Sequence, residues 1–497
     1  MMFNSLMFIF FFAGVLLAYF LIKPRFRRIL LLTASLASYV LYSSQSPVYF
    51  FLLLYCILVT YVSGLLIGHF RDSAGKRKAL LTAGIILDLV ALFIFKYQNM
   101  TVDLLNAALS LGRVRIDYRS HLMLPIGISF YTFQTIGYMI DVSRGKIKAS
   151  KNFIEYALFV SFFPQLVAGP IERSENLISQ IKNIENVDLK NWQRIRKGVY
   201  TMLWGYFMKV VIADRAALIV DTVFKNYKIL GSVELLIGII CFSLQIYCDF
   251  GGYSAIAIGA AKIMGFDLME NFNTPYLAFS IRDFWNRWHI SLSTWFRDYL
   301  YIPLGGNRKG KLRKYFNTMT VFLVSGLWHG ADLSFVVWGG LHGLYLVLED
   351  MTASVRERLN KKLKINTSCF SWKLLLCSVV FVLTTFAWIF FRAGSINEAI
   401  DYISRIFTKA DPWILFNGGL YTFGIPAVEF DLLSIAVLLL LVVDVLYRKT
   451  GKSLDRLLEE QNAGFRWLVV IFLLCCCIFF NCTSNEVGVN QFIYFQF

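Results

Sequence analysis

Charge is scarce in this chain. Only 16% of its 497 residues are Asp, Glu, Lys or Arg, against roughly 25% in soluble globular domains. Histidine occurs five times and proline nine times. So thin a polar supply excludes a soluble enzyme with a hydrated surface. The 57% hydrophobic content excludes a disordered chain. The nine cysteines carry neither metal-ligand spacing nor a disulfide framework. Three of them, Cys475, Cys476 and Cys477, lie in one apolar run and read as small apolar residues. A Gly-x-Ser-x-Gly elbow, a P-loop and a His-Glu-x-x-His pair are all missing. Gly251-Gly252 is too little to mark a nucleotide site.

What the chain has is apolar and aromatic residues, 46 of them Phe. The apolar runs suit about 11 to 12 crossings at about 20 residues each. The expected fold is therefore an all-α polytopic membrane protein. Spans are expected over 6–22, 29–43, 48–69, 79–97, 122–141, 199–222, 233–250, 318–331, 333–349, 373–391, 431–447 and 466–482. The first run has a basic cluster after it and no charged stretch before it. It therefore reads as a membrane helix and not as a signal peptide.

Lys and Arg outnumber Asp and Glu by 49 to 32, a net charge of +17. In a membrane protein that excess marks the cytoplasmic loops and is no nucleic-acid footprint. The basic segments are 23–28, 71–78, 144–151, 308–314, 356–364 and 448–456. With all six in the cytoplasm the spans alternate consistently, and both termini lie outside. Segment 98–120, with Arg113, Arg115 and Arg119, runs against this pattern. No soluble domain is evident. The chain reads as one integral-membrane domain over 1–497, with N-terminal helices over 1–150. A core with two motif histidines covers 151–350, and C-terminal helices with an aromatic tail cover 351–497.

Two stretches are neither clean spans nor clean loops. Residues 153–197 contain Pro164 and Gly169-Pro170, and 270–317 are rich in Trp, Arg, Asp and Asn. Irregular backbone at membrane depth survives only where protein or a water-filled cavity covers it. Both stretches thus suggest re-entrant or interfacial elements around a cavity. Surface helices are an equal reading for the first.

Ionisable groups inside a membrane are costly and face the protein interior or a water path. His69 and His121 lie at span edges. His329 sits within a span, flanked by Gly326 and Gly330, which leave one helix face open to a neighbouring helix or to a substrate. It reads either as a catalytic imidazole or as a packing contact. His289 follows Arg282-Asp283-Phe284-Trp285-Asn286-Arg287-Trp288. A continuous helix there would align Arg282, Asn286 and His289 on one face. Arg287, Arg297, Asp283 and Asp298 offer ion pairs. His342 has the default reading of a satisfied buried histidine. Gln245 and Asp249 are polar groups in an apolar run, placed to line a cavity or to brace a histidine. The closing Phe492-Ile493-Tyr494-Phe495-Gln496-Phe497 is either an interfacial anchor or a plug inserted from outside.

Taken together, several motifs resemble the membrane-bound O-acyltransferases, in particular the bacterial alginate O-acetyltransferase branch. They are Pro125 to Gln134, Phe163 to Ile171, Asp283 to Ser291, Tyr299 to Asn307, Ser325 to Gly330 and the closing aromatic segment. The resemblance runs over nearly the whole chain. It implies a membrane-embedded funnel or tunnel with His329 as the catalytic histidine and His289 as a second one at the tunnel. Tyr494 would accept the acyl group before a partner does. Asn286, Trp328, Asp249 and Gln245 are candidate tunnel-lining or supporting residues beside these.

The expected activity is transfer of an acyl group, acetyl in the first instance, from a cytoplasmic thioester toward a hydroxyl of a cell-envelope polysaccharide. Acetyl-CoA or an acyl-carrier protein would be the donor, and no cofactor or metal is bound. The expected partner is an extracytoplasmic acyltransferase of SGNH-hydrolase type, and the expected location is the cytoplasmic membrane. D-alanyl transfer to teichoic acid is the alternative within the family. A transporter or flippase without covalent chemistry is the alternative outside it.

Overall fold

The computed structural model describes all residues except 1, 2, 4, 43–46, 110–115, 119, 121, 123, 168, 485–491 and 493–497. Among the described residues there is helix and no strand, so the all-α expectation holds. His121, Arg113, Arg115 and Arg119 lie outside them, and so does Tyr494.

The helices are α1 (Leu6–Leu21), α2 (Arg27–Tyr42), α3 (Val48–His69), α4 (Ala74–Lys96), α5 (Gln98–Leu109), α6 (Ile128–Ser143) and α7 (Phe153–Ser161). Next come α8 (Phe163–Leu166), α9 (Ser174–Lys182), α10 (Trp192–Tyr206), α11 (Asp214–Asn226), α12 (Ser232–Ile263), α13 (Ile281–Trp285) and α14 (Ile290–Phe296). The last are α15 (Lys311–His329), α16 (Leu333–Lys362), α17 (Phe370–Arg392), α18 (Ile396–Thr408), α19 (Ala427–Thr450), α20 (Leu454–Glu459) and α21 (Ala463–Ser484).

Six of them, α3, α4, α12, α17, α19 and the Ala463–Phe480 part of α21, are long and apolar enough to cross a membrane. Most other expected spans are helices too, but shorter or more polar. α1, α2 and α6 have 16 residues each. At 1.5 Å per residue that is about 24 Å, short of the roughly 30 Å hydrocarbon core. The expected span 199–222 is broken by a π-helical turn at Phe207–Ala213. The structure and its apolar helices describe a multi-pass membrane protein.

The chain forms two compact units. One comprises Met1–Met202 with Tyr253–Met269, and the other Leu203–Gly252 with Glu270–Phe497.

In the first unit, the motif around Gly127 and the motif around Pro164 meet. Gly127 holds φ +76°, a left-handed conformation that suits glycine. A Cβ there would run into the carbonyl of Leu166. Gln134 and Gln165 both donate to the carbonyl of Phe159, at 2.6 and 3.1 Å. That carbonyl lies near the end of α7, where the Phe163 N–H that would reach it donates instead to Ser35 Oγ at 3.1 Å. The interruption at 164–170 is thus a packed junction between α6, α7 and α8. Its residues from Phe163 to Val167 are buried. Deeper in the unit, Asp88 accepts from Thr135 at 2.6 Å, and Tyr156 donates to Thr60 at 2.6 Å.

In the second unit, α15 and α16 pack along glycine faces. A Cβ on Gly326 or Gly330 would collide with Phe335, and one on Gly339 with the carbonyl of Phe322. The open face beside His329 is therefore filled by a neighbouring helix. α12 approaches the π-helical turn just as closely. A Cβ on Gly252 would press on the backbone of Gly205 and Lys209.

Candidate active site

The stretch 282–289 is no continuous helix. α13 ends at Trp285, α14 begins at Ile290, and His289 stands between them with φ +43°. A non-glycine residue in this region costs on the order of 1–3 kcal/mol and persists only where the surroundings enforce it. Asn271 supplies much of that enforcement. Its backbone carbonyl accepts from Ile290 N at 2.9 Å. Its side-chain oxygen accepts from Ser291 Oγ at 2.8 Å and lies 3.1 Å from His289 Nδ1. An amide oxygen only accepts, so Nδ1 carries the proton at this contact and Nε2 is left as the basic nitrogen. Burial pushes this imidazole well below its ordinary pKa, which keeps it neutral.

Asp283 pairs with Arg287 at 2.7 Å and with Arg448 at 3.3 Å, and Arg297 pairs with Asp298 at 2.8 Å. The first two pairs tie α13 to the turn after it and to α19.

His329 closes α15 and is only 5% exposed. Three aromatic rings enclose it: Trp328 at 4.7 Å, Trp338 at 4.9 Å and Phe391 at 5.4 Å between centroids. Trp328 also lies 6.1 Å from the ring of His289. The two motif histidines therefore share one indole as a neighbour. Phe250, on α12, meets the His289 ring edge-on at 4.6 Å. His342 accepts from Trp285 Nε1 at 3.3 Å and touches Trp338 at 5.1 Å, so it supports the indole that backs His329.

Two cavities are lined by residues that neighbour His329 in sequence, though not by His329 itself. The first, about 620 Å³, is lined by Asn286, Trp285, Arg297, Lys314, Tyr315 and Ser325 among others. Ser325 is one helical turn before His329. The second, about 700 Å³, is lined by Ala331, Asp332, Ser334, Phe335, Asp221 and Arg392 among others. Ala331 is two residues after His329, and Phe335 meets Phe391 edge-on at 5.0 Å, which in turn touches the imidazole.

The remaining expected residues fall as follows. Asn286 lines the first cavity. Asp249 pairs with Lys209 at 2.7 Å, and Gln245 Oε1 is buried without a hydrogen-bond partner among the described residues. Neither lines the two cavities. Phe492, in the closing segment, is fully buried against Phe250 at 5.9 Å. Sequence reasoning missed Asn271, Lys209, Phe250 and Trp338. The cue for Lys209 was a lone ammonium inside an apolar run. Asn271 offered none, since its partner lies 18 residues on.

Comparison with known proteins agrees with this architecture. The sequence pattern of the membrane-bound O-acyltransferase family matches residues 142–392. The probable alginate O-acetylase AlgI of Pseudomonas putida is 35% identical, with 100% of each chain covered. A peptidoglycan O-acetyltransferase of Helicobacter pylori is 35% identical over 81% of this chain and 79% of its own. A teichoic acid D-alanyltransferase of Bacillus subtilis is 30% identical over 48% of this chain and 61% of its own. The chain is an acyltransferase and belongs to the membrane-bound O-acyltransferase family.

Proposed function

We propose that the protein carries an acyl group, acetyl in the first instance, from a cytoplasmic thioester to a hydroxyl of an envelope polysaccharide outside. The observation that supports this reading is that Ser325, one helical turn before His329, lines one cavity and Ala331, two residues after it, lines another, with the imidazole itself in neither lining. The first cavity borders the basic segment 308–314, which the excess of Lys and Arg assigns to the cytoplasm. Its Arg297 and Lys314 suit the phosphates of acetyl-CoA, and an acylated carrier protein would present the same chemistry.

In this reading His329 is the general base. It takes the phenol proton of Tyr494 as the oxygen attacks the thioester carbonyl. The carbon–sulfur bond breaks, and the imidazolium returns the proton to the departing thiolate. His289 Nε2, neutral and across the same indole, is the second polar group of the tunnel. The product is an aryl ester, a reactive acyl carrier on the outer side. A partner of SGNH-hydrolase type then takes the acyl group and passes it to the polysaccharide. The burial of Phe492 against Phe250, beside His289, supports the plug reading of the closing segment. The alginate and peptidoglycan acetylases match most of this chain and the D-alanyltransferase about half, which favours acetyl.

The test is mass spectrometry of the C-terminal peptide after incubation with acetyl-CoA. A 42 Da adduct on Tyr494, about the mass an acetyl group adds, is expected in the wild type and absent in Tyr494→Phe. Full transfer by Tyr494→Phe would reduce the tail to an anchor.

A further inference from the structure

The described lining of the first cavity holds three cations, Arg282, Arg297 and Lys314, and one carboxylate, Asp350. They come from separate elements. Arg282 lies on α13, Lys314 on α15 and Asp350 on α16, and Arg297 opens the π-helical turn Arg297–Tyr301. The Asp350 carboxylate lies 2.5 Å from Lys314 Nζ and 3.3 Å from Arg282 Nη2. One carboxylate thus occupies two of the three cations that would meet the phosphates of a donor.

Holding the fold together is a poor account of this carboxylate. Its partners are partly exposed, 56% at the Arg282 side chain and 26% at that of Lys314, and ion pairs in such surroundings contribute little stability. The contact of α13 with α16 also has a support of its own. Glu349, the preceding residue, accepts from Ile281 N at 2.7 Å, in the first turn of α13. What distinguishes the pairs of Asp350 is that they face a cavity. There an incoming anion can take over both cations and leave neither bare.

We infer that Asp350 is a resident counter-anion of the donor cavity. It holds Lys314 and Arg282 while the cavity is empty and yields them to the phosphates of a thioester donor. This rests on the reading that the donor binds in this cavity. The exchange makes the site selective. An anion of single charge has little advantage over the carboxylate it must displace, whereas the several phosphate charges of a CoA-type donor prevail over it. The same carboxylate returns to the cations after transfer and so helps the phosphorylated thiol to leave. Asp350 is therefore a specificity-determining residue for the donor and takes no part in the acyl transfer itself.

The experiment uses the full chain in lipid vesicles with two donor probes, acetyl-CoA and S-acetylpantetheine, which has the same thioester arm without phosphates. Asp350→Asn keeps the shape of the side chain and removes its charge. The KM for S-acetylpantetheine divided by that for acetyl-CoA should rise about fivefold, the worth of one unit charge about 4 Å away in water-like surroundings. A partial folding defect lowers active enzyme for both donors alike and cancels in this ratio. Asp350→Ser, smaller and also uncharged, gives a second reading of it. Inhibition by free CoA should strengthen by the same factor, and added salt should weaken acetyl-CoA binding more steeply than in the wild type. Asp350→Glu retains a carboxylate and should bring the ratio back toward the wild-type value. A wild-type ratio in Asp350→Asn would overturn the inference. A lower ratio would overturn it too, because the carboxylate would then be a brace that the cations need. Lys314→Gln separates this from the underlying reading. If it lowers the ratio while Asp350→Asn leaves it alone, the donor cavity stands and the counter-anion falls. A wild-type ratio in both Lys314→Gln and Arg282→Gln would mean that the phosphates bind elsewhere, and both would fall.

Discussion

In the first unit a buried carboxyl, Asp88, meets one hydroxyl, that of Thr135, and the pattern repeats between Tyr156 and Thr60. In both pairs a threonine hydroxyl serves a polar side chain of another helix. In the second unit the polar side chains are held in less regular ways. His289 sits in a left-handed conformation, and two segments, Phe207–Ala213 and Arg297–Tyr301, are π-helical. Lys209 faces two carboxylates, and both cavities described above belong to this unit. Strained or irregular backbone costs free energy and persists where function requires a particular placement. The first unit therefore reads as scaffold and the second as machinery. Substitutions in the second should lower rate at constant stability, and substitutions in the first should do the reverse.

The largest effect is expected at His329. His329→Gln keeps a polar side chain of similar size among the three rings and removes the base. Acyl transfer should fall by about 10²- to 10⁴-fold, the usual worth of a positioned base. The amount of inserted protein and its resistance to denaturation should stay near wild type. Substantial transfer by this variant would move the chemistry elsewhere and dissolve the contrast between the units.

The contrast was partly legible in the sequence. Scarce charge and long apolar runs were enough for an all-α membrane protein, because lipid admits few other solutions. The glycines at 326 and 330 announced a close approach, although only the fold brings Phe335 of α16 there. The Asp283–Arg287 pair followed from i, i+4 spacing. The break at His289 did not, because helical spacing across 282–289 is as good as in a real helix. What overrides it is Asn271, which captures both the Ile290 N–H and the imidazole from outside the segment. The π-helical turn was hidden for the same reason: it depends on Asp249, from another helix, to balance Lys209. The contact of Phe492 with Phe250 joins residues far apart in the chain, and no local pattern encodes it.

A second test sharpens the machinery side. Asn271→Ala removes the acceptor that orients His289 and leaves the imidazole free to choose its tautomer. Transfer should drop about tenfold to a hundredfold, the order expected when a positioned group shifts by about 1 Å. Donor KM should change little, because Asn271 does not line the cavity beside Lys314. A loss seen only as reduced protein in the membrane would make Asn271 scaffold.

On the scaffold side, Gly127→Ala is expected to act through stability. The new Cβ meets the Leu166 carbonyl, and the left-handed φ of +76° disfavours alanine in any case. The cost should be about 1–3 kcal/mol, measured by denaturant titration in detergent. Transfer per folded molecule should remain at the wild-type level. A rate defect at unchanged stability would show that the junction of α6 with α8 serves the chemistry directly.

The smallest effect is expected from Tyr156→Phe, which deletes the 2.6 Å hydrogen bond to Thr60 and keeps the ring among Tyr61, Tyr138 and Phe159. Thr60 still donates to the carbonyl of Cys56, so no hydroxyl proton is stranded. Hydrogen bonds between membrane helices average about 0.6 kcal/mol in double-mutant cycles. The variant should lose roughly that much, with unchanged turnover. The same titration, combined with Thr60→Ala in a double-mutant cycle, gives the coupling energy directly. A coupling above about 2 kcal/mol, beyond the largest such value expected, would mean that this pair supports more than its own contact. The first unit would then be less passive than its regular backbone indicates.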